Sequence, residues 1–377
     1  MATTDPKFSL ADAREMRGAL TLAKRGLGLV WPNPAVGCVL VRAGHVVGRG
    51  WTQPGGRPHA ETEALKRAGD LARGASAYVT LEPCDHERET GPCSRALIEA
   101  GIARAVVAIE DPDQRVAGRG IARLRDAGIE LTTGICRAEA AALNRGFFLR
   151  VAEGRPLITL KLATSLDGRI ATASGDSKWI TGEQARATAH CLRASHDAVL
   201  VGSATALADD PALTCRLPGM EAWSPVRVIA DGRLRLPLSA EVVLTARYLP
   251  TWVVTGRDGD SARLGALAAA GVKVIVVDAD ASGRPEVRAI ARTLADRGLT
   301  RVLLEGGGEL AAAFLRAGLI DRVAWFHAPR IIGAEGLPAV AGLYGGVLSD
   351  APVFSFAEVG AVGGDVFAQY VKQTGTK

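Results

Sequence analysis

Leu10, Ala13, Met16, Leu20 and Ala23 recur at the spacing of one helical face, which predicts a helix over 10–26. The prolines of WPNP at 31–34 then deny regular structure to a loop. VGCVLV at 36–41 and the run at 45–50 predict a hairpin turning at Ala43-Gly44. Beyond it, helical and extended patterns alternate: helix 60–68, strand 76–81, helix 94–100, strand 104–109, helix 119–127 and strand 129–133. Strands alternating with helices of this length imply an α/β layer architecture.

A helical run ends in GFFLRVAEGRP at 146–156, where Gly154-Arg155-Pro156 interrupts it. A domain boundary near 150 follows, giving units 1–150 and 151–377. The second unit restarts the alternation with strand 157–163, helix 182–194 and strands 197–202, 226–230 and 251–255. Helix 261–270, strand 272–277, helix 285–297, strand 300–304, helix 308–317 and strand 321–327 complete it. The stretch 202–216 reads as a loop behind its strand. No internal repeat or low-complexity tract is visible.

Composition narrows the class without naming a chemistry. The chain has 377 residues, enough for two or three domains at roughly 100–200 residues each. Hydrophobic residues are 48% and charged residues 23%, as in an ordinary globular protein with a core in each half. The net charge of +5 fits either a mildly basic surface or an anionic substrate such as a phosphorylated metabolite. No Lys/Arg run forms a stripe that would point to nucleic acid. The six cysteines are too sparse for a disulfide scaffold. The N-terminus lacks an apolar signal-type core, and no segment approaches the roughly 18 apolar residues of a membrane span. A cytoplasmic location is expected.

His59-Ala-Glu61 stands at the start of helix 60–68, Cys84 follows strand 76–81, and Cys93 opens the next helix. One imidazole and two thiolates suit zinc, and three protein ligands leave a fourth position open, as in catalytic sites. Water in that position would have its pKa lowered from about 15.7 to about 7. Glu61, two residues after the histidine, is placed to carry the proton without binding the metal. H-x-E followed by P-C-x-x-C is a zinc deaminase signature; here the cysteines are separated by eight residues instead of two. Taken singly these fragments are an ordinary helix start and strand end; their order makes the metal reading the stronger. Cys38 is the one nearby candidate for a fourth ligand, which would make the site structural instead. His86 is either a substrate contact or an exposed side chain. His45, His190, His196 and His327 show no ligand pattern.

In the second unit, strand 300–304 runs into Glu305-Gly306-Gly307-Gly308 and a helix. A strand, a glycine run and a helix N-terminus make either an anion cradle or a simple tight turn. The polar turn after Lys161 and the stretch 202–216 lie behind strands, where α/β sheets bind ligands. Arg193 and Arg216 are candidates to hold a phosphate. These residues imply a nucleotide or phosphosugar site; redox chemistry does not follow from them alone.

Both halves, in this order, resemble the bifunctional deaminase/reductase family of riboflavin biosynthesis, over roughly residues 10–370. The resemblance is carried by PNPAVGCVLV (32–41), GGRPHAE (55–61), AYVTLEPC (77–84), DPDQRVAGRG (111–120), LKLATSLDGR (160–169), SGDSKWIT (174–181), SATALADDPALT (203–214) and EGGGELA (305–311). It implies a cytidine-deaminase-like three-layer α/β domain followed by a dihydrofolate-reductase-like α/β domain. The first would remove an amine from a diaminopyrimidinone carrying a phosphoribosylamino group, with zinc on His59, Cys84 and Cys93 and proton transfer by Glu61. Asn33 would contact the pyrimidine. The second would use NADPH to reduce the ribosyl part to ribityl. NADPH would fall on Ala163, Trp179, Thr205, Asp209 and the turn Gly307, Gly308, Glu309, Leu310, Ala311, Ala312 and Ala313. Substrate would fall on Ser177, Arg193, Leu213, Arg216 and Glu305. A homo-oligomer is expected, with a small phosphorylated pyrimidine as partner, and neither nucleic acid nor membrane.

The chain departs from the family between the two cysteines, reading PCDHERETGPC where members commonly read PCSHHGRTPPC. Glu89 stands in place of a usual basic residue, with Arg88 beside it, and Trp31 and Thr52 replace usual histidines. A basic residue there would grip a phosphate that Glu89 would repel. The alternatives are a reductase with an impaired zinc-bound deaminase domain, a nucleoside or tRNA deaminase with a binding module, and a zinc-stabilised interaction protein.

Overall fold

A computed structural model describes residues 9–85, 91–113, 117–257, 259–343 and 346–373. The chain forms two compact units, Met1–Gly154 and Arg155–Lys377.

The first unit begins with α1 (Leu10–Ala23), β1 (Gly37–Arg42), β2 (His45–Trp51), α2 (Ala60–Ala68) and β3 (Ser76–Val79). It continues with α3 (Cys93–Glu99), β4 (Arg104–Val107), α4 (Arg119–Asp126), β5 (Glu130–Thr133) and α5 (Arg137–Glu153). The sheet order is β2-β1-β3-β4-β5. β1 runs antiparallel to β2 and β3, while β3, β4 and β5 are parallel. Successive residues of β1 point to opposite faces, as strand geometry requires. Cys38 and Leu40 pack with Ala60, Ala64 and Ala68 of α2, Leu97 of α3 and Leu124 of α4. Val39 packs with Met16 and Leu20 of α1 and Leu143 of α5. The sheet is therefore covered on both faces, giving three layers. Each fully buried large side chain, such as Met16 or Leu97, contributes about 1.5–3 kcal/mol.

The second unit opens with β6 (Leu157–Thr164), β7 (Arg169–Ala171), α6 (Glu183–Ala194), β8 (Ala198–Gly202) and α7 (Ser203–Asp209). Then come β9 (Val226–Ala230), α8 (Glu241–Leu244), β10 (Thr251–Thr255), α9 (Ser261–Ala269), β11 (Lys273–Val276) and α10 (Val287–Asp296). It ends with β12 (Arg301–Glu305), α11 (Gly308–Arg316), β13 (Arg322–His327), β14 (Leu337–Pro338), β15 (Phe354–Val362) and β16 (Asp365–Lys372). Nine strands form one sheet, ordered β11-β10-β9-β8-β12-β6-β13-β16-β15. It is parallel from β11 to β13, and antiparallel for the β13–β16 and β16–β15 pairs. β14 and β7 form a separate two-stranded ribbon.

Two sequence expectations need correction. Residues 203–209 are a helix, not loop: alanines at 204, 206 and 208 favour helix, and Gly202 supplies an extended residue before it. The β15–β16 hairpin was not expected at all. β15 is an edge strand with most residues exposed, so it lacks the clean apolar alternation that marks a half-buried strand. No helix among the described residues is long and apolar enough to cross a membrane.

Candidate active site

His59 is the N-cap residue of α2, with extended backbone, so Glu61 falls in the first helical turn. Cys84 follows β3 by five residues, and Cys93 is the first residue of α3 behind the N-cap Pro92. The donor atoms of His59, Cys84 and Cys93 lie within 4.8 Å of one another. His59 Nδ1 is 3.3 Å from Cys93 Sγ and 3.6 Å from Cys84 Sγ. A tetrahedral zinc site, with Zn–N of about 2.0–2.1 Å and Zn–S of about 2.3 Å, needs ligand atoms roughly 3.5–3.8 Å apart. The donor set and its spacing therefore fit zinc. Cys38 is fully buried on β1 and is not part of this cluster, so the four-ligand structural site finds no support among the described residues.

The electrostatics suit proton transfer. Glu61 is only 3% exposed, and burial pushes its carboxyl up to about 7. The hydrogen bond from Cys93 pulls Cys84 down to about 4, while Cys93 itself is held up by the same contact and by burial. His59 is raised, first by its hydrogen bond with Cys84. A bound dication would draw both sulfurs toward thiolate.

A cavity of about 430 Å³ opens over this cluster and brings Asn33, Thr52, His59, Glu61 and Cys84 together. Gly56 has a positive φ of 86°, and a Cβ there would strike the side-chain amide of Asn33. The turn is thus shaped around Asn33. Thr52 is committed to the residue before β1, accepting from Val36 N at 3.0 Å.

Sequence reasoning assigned no role to several residues of this cavity. Glu82 is buried and accepts four backbone N–H groups, from Asp111, Gly118, Gly120 and Ile121. It satisfies the open N-terminus of α4 and fixes the cavity wall. Asp111, Asp113, Arg57, Arg119, Phe147 and Arg150 also line it. The first two and Arg119 belong to the 111–120 motif, so the motif was visible while its role was not. Asp85 anchors the strand exit through a short hydrogen bond from Ser94 Oγ and an ion pair with Arg123 at 2.6 Å. His86, Arg88 and Glu89 lie outside the described residues.

In the second unit, Gly306 and Gly307 have φ of 80° and 81°, and a Cβ on either would meet the Thr205 side chain. The turn therefore brings α7 and the start of α11 together around a cavity of about 370 Å³ lined by Ser203, Thr205, Gly307, Glu309, Leu310 and Ala313. A second cavity of about 190 Å³ holds Ala163, Thr205, Asp209, Gly307 and Ala311. Side-chain-free backbone at a helix N-terminus fits the pyrophosphate of a dinucleotide. Ala312 is fully buried on the core side of α11, and Gly308 packs against Pro338 O and Ala341 N. Neither lines these cavities.

Ser177 and Trp179 lie with Arg330 around a separate, more open cavity of about 400 Å³. Trp179 is 59% exposed and stacks under the Arg186 guanidinium at 4.6 Å. Leu213 has a positive φ of 55° and its side chain sits in the core, so it offers a ligand only backbone. Arg216 is exposed, its N–H donating to His190 Nδ1. Arg193 is not the open phosphate clamp that its sequence position suggested. It pairs with Glu305 through two bonds of 2.7 and 2.9 Å and donates a third to Thr214 O. Burial pushes Glu305 up, yet Arg193 holds it down to about 2. Lys161 faces Glu305 across the parallel pair β6–β12, and burial lowers its pKa. A lysine inside an apolar strand was the signal that sequence reading passed over.

Residues 11–109 match the model of the cytidine and deoxycytidylate deaminase zinc-binding region, and 156–367 match the RibD C-terminal domain. The riboflavin biosynthesis protein RibD of Bacillus amyloliquefaciens is 43% identical over 93% of this chain and 94% of its own. That of Escherichia coli K12 is 42% identical over 95% and 98%. The chain belongs to the RibD family. Solved structures agree: Acinetobacter baumannii RibD has a TM-score of 0.86 at 38% identity, covering 97% of this chain and 99% of that one. The Thermotoga maritima protein, described as a diaminohydroxyphosphoribosylaminopyrimidine deaminase/5-amino-6-(5-phosphoribosylamino)uracil reductase, has 0.84 at 34%, covering 96% and 99%. RibD membership makes this chain a bifunctional deaminase and reductase of riboflavin biosynthesis, using zinc and NADPH. Its units are the cytidine-deaminase-like three-layer domain and the dihydrofolate-reductase-like domain that the motifs implied. Nothing found favours a reductase alone, and the family match displaces the nucleoside, tRNA and non-enzymatic readings.

Proposed function

We propose that residues 1–150 hydrolytically deaminate 2,5-diamino-6-(5-phosphoribosylamino)pyrimidin-4(3H)-one, and that residues 151–377 then reduce its ribosyl group to ribityl with NADPH. The observation that carries this reading is the buried Glu61 beside the His59–Cys84–Cys93 cluster, inside one cavity with Asn33. When bound, zinc supplies Lewis acidity that makes water a competent nucleophile near neutral pH. Glu61 takes a proton from the attacking water and returns it to the departing amine; a carboxyl displaced toward neutrality does both. Asn33, held by the Gly56 turn, orients the pyrimidine through its amide. Glu82 contributes by fixing the wall and not by chemistry, since its oxygens are occupied by backbone donors.

In the reductase unit, NADPH supplies the reducing equivalent. Its pyrophosphate is assigned to Thr205, Gly307 and the cavity-facing Glu309, Leu310, Ala311 and Ala313, with Ala163, Trp179 and Asp209 completing the cofactor contacts. Ser177, Leu213 backbone, Arg216 and the Arg193–Glu305 pair are assigned to the ribotide. The pair holds a fixed carboxylate for ribose hydroxyls, with Lys161 beside it. The protein is assigned to the cytoplasm as a homo-oligomer acting on this small phosphorylated pyrimidine, without nucleic acid. The exposed nine-residue edge of β15, with Phe356 and Val359 outward, supports association with a second copy.

Mass spectrometry of products tests the reading. Zinc-loaded protein incubated with the diaminopyrimidinone ribotide should give deaminated product without NADPH, and deaminated and reduced product with it. Reduction only of separately supplied deaminated intermediate would defeat the deaminase assignment.

A further inference from the structure

The cavity over the zinc ligands is graded from floor to rim. Its floor holds Glu61, Asp111 and Asp113, all buried. Its partly exposed wall holds three guanidinium groups, Arg57, Arg119 and Arg150. They come from three separate elements: the loop before His59, the first residue of α4, and α5. Glu82, which also lines the cavity, is turned to four backbone donors at the start of α4. A ligand with an uncharged, hydrogen-bonding ring and a doubly charged group fits this gradient in one direction. The ring reaches Asn33 and the zinc ligands, while the strongly hydrated dianion stays near water, where desolvation costs least. Guanidinium groups are also the side chains best matched to phosphate oxygens.

We infer that Arg57, Arg119 and Arg150 form the seat for the substrate's 5-phosphate in the deaminase unit. This inference rests on the ribotide reading above. These arginines supply positive charge that a basic residue at position 89 would give in other members, where this chain carries Glu89. The seat lies on α4, α5 and the loop before His59.

The test compares two probes, the diaminopyrimidinone ribotide and its dephosphorylated riboside, with the full-length zinc-loaded protein and its Arg57→Ala, Arg119→Ala, Arg150→Ala and Arg88→Ala variants. Zinc content and reductase activity serve as folding controls. In the three seat variants KM for the ribotide should rise about tenfold or more with kcat little changed, because binding away from the reacting carbon is lost uniformly. KM for the riboside should not move. Arg119→Lys should recover part of the loss, since charge returns without the fork. An unchanged ribotide KM in all three, an equal loss for both probes, or a rise confined to Arg88→Ala would overturn the seat. A wild-type protein that deaminates neither probe would overturn the ribotide reading itself, and the seat with it.

Discussion

Two buried glutamates divide this molecule by chemistry. Glu61 and Glu305 are both almost wholly enclosed, 3% and 7% exposed. Burial alone pushes each carboxyl up. Glu61 has the sulfurs and imidazole of the cluster as neighbours and rises to about 7. Glu305 is gripped at both oxygens by Arg193 and falls to about 2. The same side chain is thus poised to exchange a proton near neutral pH in one unit and is held as an anion in the other. A dication bound at the cluster would add a field that lowers Glu61. The lesson is that burial raises a carboxyl by itself, and the sign reverses only where a guanidinium both pairs with and hydrogen-bonds the carboxylate.

The largest effect should come from Glu61, the proposed proton carrier. Glu61→Gln should keep zinc, measured by elemental analysis, and keep reductase activity, yet lose deamination by roughly 10²–10⁴-fold. Loss of zinc in that variant would make Glu61 a ligand and end the contrast. Chelation should give the same split, deamination lost and reduction kept.

Glu305→Gln attacks the other side of the comparison. It leaves the Arg193 charge enclosed without its partner, and breaking such a pair costs about 3–5 kcal/mol. The melting transition of the second unit should fall, together with reductase activity, while deamination persists. An unchanged transition would mean that the pair is not a structural anion site.

A smaller effect is expected at Gly56→Ala. The new Cβ displaces the Asn33 amide, and the positive φ adds about 1–2 kcal/mol of strain. Deamination should fall about tenfold with zinc retained; unaltered kinetics would remove Asn33 from ring orientation.

The smallest effects concern acid stability, and they separate the units. His196 is buried, bonded to Leu192 O and Thr159 Oγ1, and burial lowers it from 6.5 to about 3. Between those values the unfolded chain binds a proton that the fold refuses, so second-unit stability should decline as pH falls below 6.5. Asp12 behaves differently. Its hydrogen bond and charge contact with Arg104, aided by Tyr78 and Ser9, hold it at about 2 against an ordinary 3.8. Its contribution is intact above 3.8 and is lost only as pH falls through 2. Calorimetry between pH 7 and 4 should therefore show the second-unit transition falling, a slope to which Asp12 adds no counterpart in the first unit. His196→Gln should flatten that dependence, and equal slopes in both units would remove the distinction.

The sequence by itself determined the layer architecture, because the period of apolar residues follows directly from helix and strand geometry. Helix 60–68 was read at its observed bounds, and strand 226–230 likewise. It also singled out His59, Cys84 and Cys93, whose donor atoms the fold brings together, since zinc selects residue types and those types stand in recognisable order. The tertiary structure decided what pairing and facing control. It placed Ala312 and the Leu213 side chain in the core, committed Arg193 to Glu305, and kept Cys38 out of the cluster. It turned 203–209 into a helix that meets the glycine turn, and gathered arginines far apart in sequence around one cavity. A linear pattern records residue type and period. Which charges meet, and which face of a helix sees a ligand, depends on contacts between residues a hundred positions apart, as Arg193 and Glu305 are, and only the packed chain fixes them.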